Sequence, residues 1–577
     1  MKYVIYGINR ISKDLLYIFD ELNIVFLADD NPSMNILWGG YEVKNITHVL
    51  SERDTFDKVI ICDKEKSDKE KRLKQLGLKK VRDYIFEEDL FDALDKDYFN
   101  VNGKEIVIWG TGQRAKVLVE WADKTGYSFG NYKFVDSYKE GSMFYGKKVE
   151  NPDRLTFSNQ FVIIAVARNQ DIVNQLEDKG LRWGKDYGTS NEFMSRPSIM
   201  MKQTIFDDSC YDLRCHTMLN HAEILGEGNM ICCCSAFISN GLGKVTDEQS
   251  ISDIWASVQH KIMCLSNENR TYTFCKKNMC PFFIGKRSDN KVDLLETYQR
   301  MAPKPKTVAL GHDTSCNLYC TTCRDSICIE KGNQLEKKLR LSEAVNRKVI
   351  PDCEFLIMAG DGEVFLSKVY ESIYFSESMK KIKFLRFLTN GMLFNERKWI
   401  EIRKHTDARI MLTVSIDAAT KESYETIRRG GNFDVLKKNM EYAAQLRKTG
   451  ELSYLRFNFV VQKMNYKEMP RFVQWGLDLG IDEVFFTKIL NWGTYTPEEF
   501  KEISMMEDDG ITPKPELKEV LNSPIMAESI VDLGTIRSNH KVVNETEIYN
   551  YYRWELERKV PGLFNDREED RDCNQGL

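Results

Sequence analysis

The 577-residue sequence has no apolar run near the roughly 20 residues needed to cross a bilayer, and its opening, MKYVIYGINRISKDLL, lacks the basic and then apolar blocks of an export signal. A membrane span is excluded on this reading, and the cytoplasm is the expected location. Low-complexity tracts are missing too, which excludes a largely disordered chain. There is no excess of basic charge: 82 Lys and Arg stand against 87 Asp and Glu, a net charge of -5. Without a global basic field, nucleic acid is not an expected partner. The length exceeds what one core can serve, because cores stop growing at roughly 250 to 300 residues.

Cysteine is what the chain does have. Fifteen are present, and a reducing compartment leaves clustered thiols to bind metal rather than to form disulfides. Cys62 and Cys573 stand apart, while the rest fall between Cys210 and Cys353.

The first fifth of the chain starts a repeat with a period of about 100 residues. KYVIYG, IVFLADDN and DKVIICD in one copy answer to KEIVIWGTG, YKFVDS and QFVIIAVA in the next. Strand, turn, helix and strand ending in an acid is the pattern of a doubly wound parallel sheet. In the second copy Gly110 and Gly112 sit where a strand turns into a helix, and Asp136 ends the following strand. Such a turn leaves N–H groups for a phosphate, and such an acid can take a ribose hydroxyl. A third glycine is missing and the first copy keeps only Gly7, so tight-turn scaffolding remains the alternative. The layout resembles the sugar-nucleotide-binding domains of some sugar acyltransferases.

From about residue 300 six apolar strands alternate with helices, from TVALGHD to EVFFTKI. This predicts parallel strands buried on both faces in an open or incomplete barrel, with chemistry at their C-terminal ends. The loop after the first of these strands carries Cys316, Cys320 and Cys323 in CxxxCxxC spacing. With this spacing the chain resembles the radical S-adenosylmethionine (SAM) enzymes. The resemblance implies a 4Fe-4S cluster on those thiols, its fourth iron open to SAM, and a 5'-deoxyadenosyl radical that takes hydrogen from a substrate. Zinc is the competing reading for such thiols.

The same resemblance assigns SAM contacts to Gly360, Gly362 and Glu363, in GDGE. It extends to Asn390, Ser415, Asp417, Arg428, Arg429 and Asn458 near later strand ends. Thr322 stands where the family usually has an aromatic residue. Cys328 and Cys353 are candidate hydrogen donors to a substrate radical, with a buried inert thiol as the plain alternative for each.

Between the two halves, CYDLRCHTMLNHAEILGEGNMICCCSAF and FCKKNMC resemble a SPASM-type auxiliary cluster domain, placed before the barrel rather than after it. This implies a second 4Fe-4S cluster on Cys215, Cys233, Cys275 and Cys280, with the choice among Cys232, Cys233 and Cys234 open and zinc as the alternative metal. Cys210 and Cys264 are read as spare.

The expected architecture is therefore α/β. It comprises Rossmann-like modules at 1–100 and 101–192, a SPASM-like domain at 193–300, a partial (β/α)6 barrel at 301–492 and a cover at 493–577. The expected substrate is a carbohydrate, a polyol or a nucleotide-activated sugar, undergoing dehydrogenation or epimerisation, with flavodoxin or ferredoxin as electron donor. A peptide- or protein-modifying enzyme is the alternative, and the N-terminal modules acting as a docking platform is a third.

Overall fold

The computed structural model describes residues 1–536 except 33–36, 96–97, 100, 102, 167–168, 212–214, 216, 278, 281–282, 284–302, 359–361 and 492–493. The part of the expected cover beyond residue 536, with Cys573, and Gly360 with Asp361 of the GDGE motif therefore lie outside the described residues.

The two N-terminal modules form as the repeat predicts. The first holds β1 (Lys2–Tyr6), β2 (Asn23–Asp29), β3 (Leu37–Trp38), β4 (Tyr41–Asn45), β5 (Lys58–Ile61) and β6 (Tyr84–Phe86), ordered 3-4-2-1-5-6. The second holds β7 (Glu105–Trp109), β8 (Tyr132–Val135), a hairpin of β9 (Met143–Phe144) and β10 (Lys147–Lys148), then β11 (Gln160–Ile164) and β12 (Tyr187–Thr189). Its sheet order is 12-11-7-8, all parallel.

The same device closes both modules at the point where strand order reverses. Gly7 follows β1 at φ +117°, and a Cβ there would stand 2.3 Å from the Cys62 carbonyl oxygen after β5. Gly110 follows β7 at φ +113°, and a Cβ would meet Val166 Cγ2 at 2.6 Å after β11. Only glycine permits both the dihedral and the approach. Gly7→Ala is accordingly expected to cost more stability than Gly112→Ala, whose Cβ would enter open space; thermal melts of the two variants make the comparison.

The Cys-rich segment is not a separate domain, and here the expected boundary at residue 300 is corrected. Its β13 (His221–Leu225) pairs in parallel with β16 (Thr307–Gly311), the first barrel strand. Through β14 (Asn229–Ile231) and β15 (Gly243–Lys244), antiparallel additions, it extends the barrel sheet outward. The sheet continues through β17 (Phe355–Met358), β18 (Phe384–Thr389), β19 (Arg409–Ser415), β20 (Tyr454–Val461), β21 (Glu483–Lys488) and β22 (Val531–Asp532). The six expected strands, β16 to β21, all form, and among the described residues β13, β14, β15 and β22 extend the sheet to ten; β14, β15 and β22, of two or three residues, carry too little periodicity to be read.

The boundary at 192 is also not a seam. Ile5, Ile11, Leu15 and Ile18 of the first module share one buried core with Met200, Met201, Met263 and Leu265. Arg10 Nη2 donates to the carbonyls of Ile205 (2.9 Å) and Asp207 (2.6 Å), and Asn269 Nδ2 donates to buried Asp14 at 2.9 Å. Each large apolar side chain so buried stabilises by about 1.5–3 kcal/mol. Removing residues 1–192 would expose this face and destabilise what remains, so truncation cannot distinguish a docking platform from a substrate domain.

Candidate active site

The alternation of each barrel strand sends one set of side chains to the helices and the other inward. Val308, Leu310, Leu356, Leu385, Phe387, Leu412 and Phe457 join the outer core, while Ala309, Phe355, Ile357, Phe384 and Met411 form a separate apolar cluster inside. The loops that leave the C-terminal strand ends then gather over the inner volume.

The cluster loop follows β16 and is held in place from several sides. Cys316 N donates to the Cys328 carbonyl at 2.7 Å, and Tyr319 N and Thr321 N donate to the carbonyls of Arg429 and Ile427, each at 3.0 Å. Arg429 returns Nε to the Tyr319 carbonyl at 2.8 Å and Nη2 to the Arg324 carbonyl at 3.1 Å. The expected SAM-carboxylate role of Arg429 therefore gives way to a brace on the loop backbone. Behind the loop, Lys338 binds Glu330 at 2.7 Å, and Glu330 in turn accepts the Thr314 hydroxyl at 2.7 Å.

Each of the three thiols faces a nitrogen donor. Cys316 Sγ takes Leu318 N at 3.4 Å and Asn390 Nδ2 at 3.9 Å, Cys320 Sγ takes Arg428 Nη1 at 3.7 Å, and Cys323 Sγ takes Arg324 Nε at 3.4 Å. Burial pushes the Cys316 thiol up to about 11 and raises that of Cys320. Three thiols on one loop, each aimed at an N–H donor, fit the ligand set of an iron–sulfur cluster, whose irons deprotonate its ligands and whose sulfurs accept such bonds. Among the described residues no three His, Cys, Asp or Glu side chains gather closely enough to hold one metal ion.

Around the loop the expected SAM residues fall into two groups. Glu363 is 1% exposed and fully engaged within the protein, accepting from Thr389 Oγ1 (2.6 Å), Asn390 N (2.7 Å) and Phe365 N (3.1 Å). It ties the ends of β17 and β18 together, and Glu363 N also binds the Ser315 carbonyl at 2.7 Å. At Gly362 a Cβ would lie 2.4 Å from that same oxygen, so the glycine lets this segment rest on the cluster loop. Arg428 pairs with buried Asp417 at 2.7 Å, and Asp417, at φ +66°, also accepts Val460 N at 2.8 Å. These residues shape the rim. Asn390, whose Nδ2 donates to Asn317 at 2.9 Å, and the half-buried Ser415 and Asn458 line the inner volume.

The two candidate hydrogen donors are separated by the structure. Cys353 lies before β17, at the N-terminal end of the barrel, where its thiol donates to the Phe355 carbonyl at 3.2 Å. It is a packed thiol remote from the cluster loop. Cys328 sits on that loop, with Sγ 3.7 Å from the Thr314 hydroxyl.

The auxiliary cysteines gather beyond the N-terminal end of β13. Cys233 is held neutral by burial and by Cys215, Cys234, Cys275 and Cys280 around it, so these five thiols share one locality. Cys232, fully buried with its Sγ 3.9 Å from Met263, also lies near Cys215 and Cys275. The sequence left the choice among Cys232, Cys233 and Cys234 open, and only the turn after β14 separates them. β13 and β16 are paired from His221 to Leu225, about 16 Å of strand, with these thiols past one end and the cluster loop past the other.

In the second module Asp136 accepts Thr111 N (3.1 Å), Thr111 Oγ1 (2.7 Å) and Tyr138 N (2.9 Å), so it fastens the glycine turn itself. Gly112 gives the helix Gln113–Thr125 no side-chain cap, whereas in the first module Asn9 covers Ile11 N and Ser12 N.

His312, beside the loop, is 1% exposed with Nε2 3.1 Å from the Ser342 hydroxyl. Burial and then Lys338 lower it to about 3, so it is neutral in the folded protein. An unfolded imidazole protonates near 6.5. The unfolded state therefore binds the extra proton as pH falls through that value, and stability is lost on the acid side, by about 2 kcal/mol at pH 5. Melts of wild type and His312→Gln from pH 5 to 7.5 are expected to show a flatter acid limb in the variant.

No protein-family model matches the chain. Over 179 residues it is 27% identical to proteins described as probable GTP 3',8-cyclase in two strains of Methanococcus maripaludis, an alignment covering 30% of this chain and 56% of each relative. The chain thus spans little more than half the length of the curated relatives it matches. Among solved structures, Streptococcus suis SuiB bound to S-adenosylmethionine aligns with 38% of this chain and 48% of its own, at 16% identity and TM-score 0.28. The structure of anSMEcpe with bound AdoMet aligns with 32% and 50%, at 18% identity and TM-score 0.24. By its cluster loop and this sequence similarity the chain resembles the radical SAM enzymes. Members of this class are iron–sulfur enzymes that bind a 4Fe-4S cluster and SAM, and Cys316, Cys320 and Cys323 are the residues here that fit the cluster.

Proposed function

We propose that this chain uses SAM to abstract hydrogen from a carbohydrate or polyol substrate, free or nucleotide-activated, leading to dehydrogenation or epimerisation. The observation that carries the radical chemistry is the set of three N–H-facing thiols on a loop at the C-terminal end of a parallel barrel. When bound, the cluster and SAM supply a 5'-deoxyadenosyl radical. The chain's own part is to orient and enclose. Arg429 and Glu363 hold the loop against the strand ends, and Tyr495 OH, donating to the Thr321 carbonyl at 2.9 Å, brings the segment after β21 over the same loop. The sugar-nucleotide reading draws support from the uncapped helix at Gly112 beside the strand-order reversal of the second module.

The auxiliary thiols Cys215, Cys233, Cys275 and Cys280, with Cys234 beside them, make a second cluster site of SPASM type. Its place past the far end of β13 suits electron exchange with a small carrier such as flavodoxin or ferredoxin. A panel of nucleotide sugars, free polyols and peptides tests the substrate class on the anaerobically reconstituted enzyme. 5'-Deoxyadenosine formation with the sugars is the expected result, and formation with peptides alone would replace this reading by peptide modification.

A further inference from the structure

Cys328 is a fourth thiol on the cluster loop, outside the ligand set of Cys316, Cys320 and Cys323. The loop closes on itself in a short antiparallel ladder. Cys316 and Cys328 are bridge partners there, with Cys316 N donating to the Cys328 carbonyl at 2.7 Å. Residues directly opposite in such a ladder send their side chains to the same face. Their neighbours two residues away agree with this. The Thr314 hydroxyl lies 3.7 Å from Cys328 Sγ and donates to Glu330 at 2.7 Å, so Thr314, Cys328 and Glu330 share the face of Cys316.

Opposed residues in an antiparallel pair have Cα atoms about 4.5 to 5.5 Å apart, inside the roughly 4.4 to 6.8 Å that a disulfide bridges. The backbone therefore need not move for these two thiols to join, and side-chain rotation suffices. Both are half-buried, and Cys328 stands between Ile327 and Ile329, 52% and 50% exposed, so the segment runs at the surface. The other two loop thiols are held apart from this pair. Cys320 is buried against Arg428 at 3.7 Å, and Cys323 Sγ lies 3.4 Å from Arg324 Nε.

We propose that Cys328 is an oxidation site that guards the cluster loop: before a cluster is assembled, or after one is lost, a peroxide joins Cys316 to Cys328 as a disulfide. One thiolate attacks the peroxide, the O–O bond breaks, and a sulfenic acid forms with release of one water. The second thiol attacks that sulfur, the S–S bond forms and a second water leaves, so two thiols pass two electrons and two protons to the peroxide. The bond takes one ligand out of the set that holds three irons, and a dithiol reductant must open it before a cluster is built. Cys316 is meanwhile kept from the irreversible steps to sulfinic and sulfonic acid. This goes beyond the proposed function and depends on neither substrate nor turnover.

The test uses the full-length chain, freed of metal by anaerobic chelation, exposed to hydrogen peroxide, alkylated, digested with trypsin and analysed by mass spectrometry. Trypsin cuts after Arg324, so a Cys316–Cys328 bond appears as two joined peptides, whereas bonds among Cys316, Cys320 and Cys323 stay within one. The joined pair is expected at least about tenfold above any other bond among the loop thiols, and at least about tenfold less of it in the cluster-loaded enzyme. Iron uptake by the oxidised chain should fall at least about fivefold and return after dithiothreitol. Cys328→Ser, treated alike, should carry at least about threefold more sulfinic acid at Cys316. A dominant Cys320–Cys323 bond, no joined pair, iron uptake indifferent to the joined pair, or equal sulfinic acid in the variant would each overturn the assignment. The peptide measurement uses the wild-type chain, so it decides even if the variant fails to fold. Because neither SAM nor turnover enters, failure of the radical reading would appear separately, as absent 5'-deoxyadenosine.

Discussion

Cys320→Ala is expected to remove the radical-forming cluster and with it 5'-deoxyadenosine formation, by at least about a thousandfold, or roughly 4 kcal/mol of barrier. Cys320 is 8% exposed and the most enclosed of the three ligands, with Arg428 against its sulfur at 3.7 Å. Alanine leaves two thiols on the loop, one short of the set that holds three irons. Anaerobic reconstitution should incorporate about four fewer iron atoms per chain than wild type. The loop backbone, pinned through Tyr319 and Thr321 to the segment 427–429, does not depend on the thiol, so the far-ultraviolet dichroism should be unchanged. Full iron content in Cys320→Ala would contradict the ligand assignment.

Arg428→Met is expected to be nearly as damaging by a different route. It leaves Asp417 buried at φ +66° without its cation and strips Cys320 of a donor. Removing one partner of a buried ion pair costs about 3–5 kcal/mol, because the other charge stays uncompensated. Asp417 shares this strain with β20 through Val460 N, so the loss should spread to the neighbouring strand end. Thermal denaturation should report the destabilisation, and the cluster's electron paramagnetic resonance signal should change in the fraction that still folds. Arg428→Lys is expected to restore only part of either, since one ammonium cannot reach carboxylate and sulfur with a planar fork.

The cluster loop was fully legible in the sequence, because three thiols at fixed spacing after a strand are local chemistry. So were both N-terminal modules, whose strand-turn-helix rhythm repeats at a constant interval. Other features depend on what folding brings from afar. Glu363 was read as a cofactor contact, yet its carboxylate closes on Thr389 and Asn390, 26 and 27 residues away. Asp136 was read as a ribose acceptor and instead fastens Thr111. The joining of β13 to β16 could not be read, since strand partners separated by some 80 residues leave no periodic trace. One signal was present and unused: Arg386 in KFLRFLT and Arg456 in LRFNFVV are charges inside apolar strand runs, which places them in the barrel interior.

The central claim is tested most directly by reducing the anaerobically reconstituted full-length enzyme with dithionite in the presence of SAM and following 5'-deoxyadenosine by chromatography, with iron and zinc measured on the same sample. The account predicts iron with sulfide, little zinc, and 5'-deoxyadenosine that disappears in Cys320→Ala. Zinc on the loop cysteines, with SAM left intact, would contradict it.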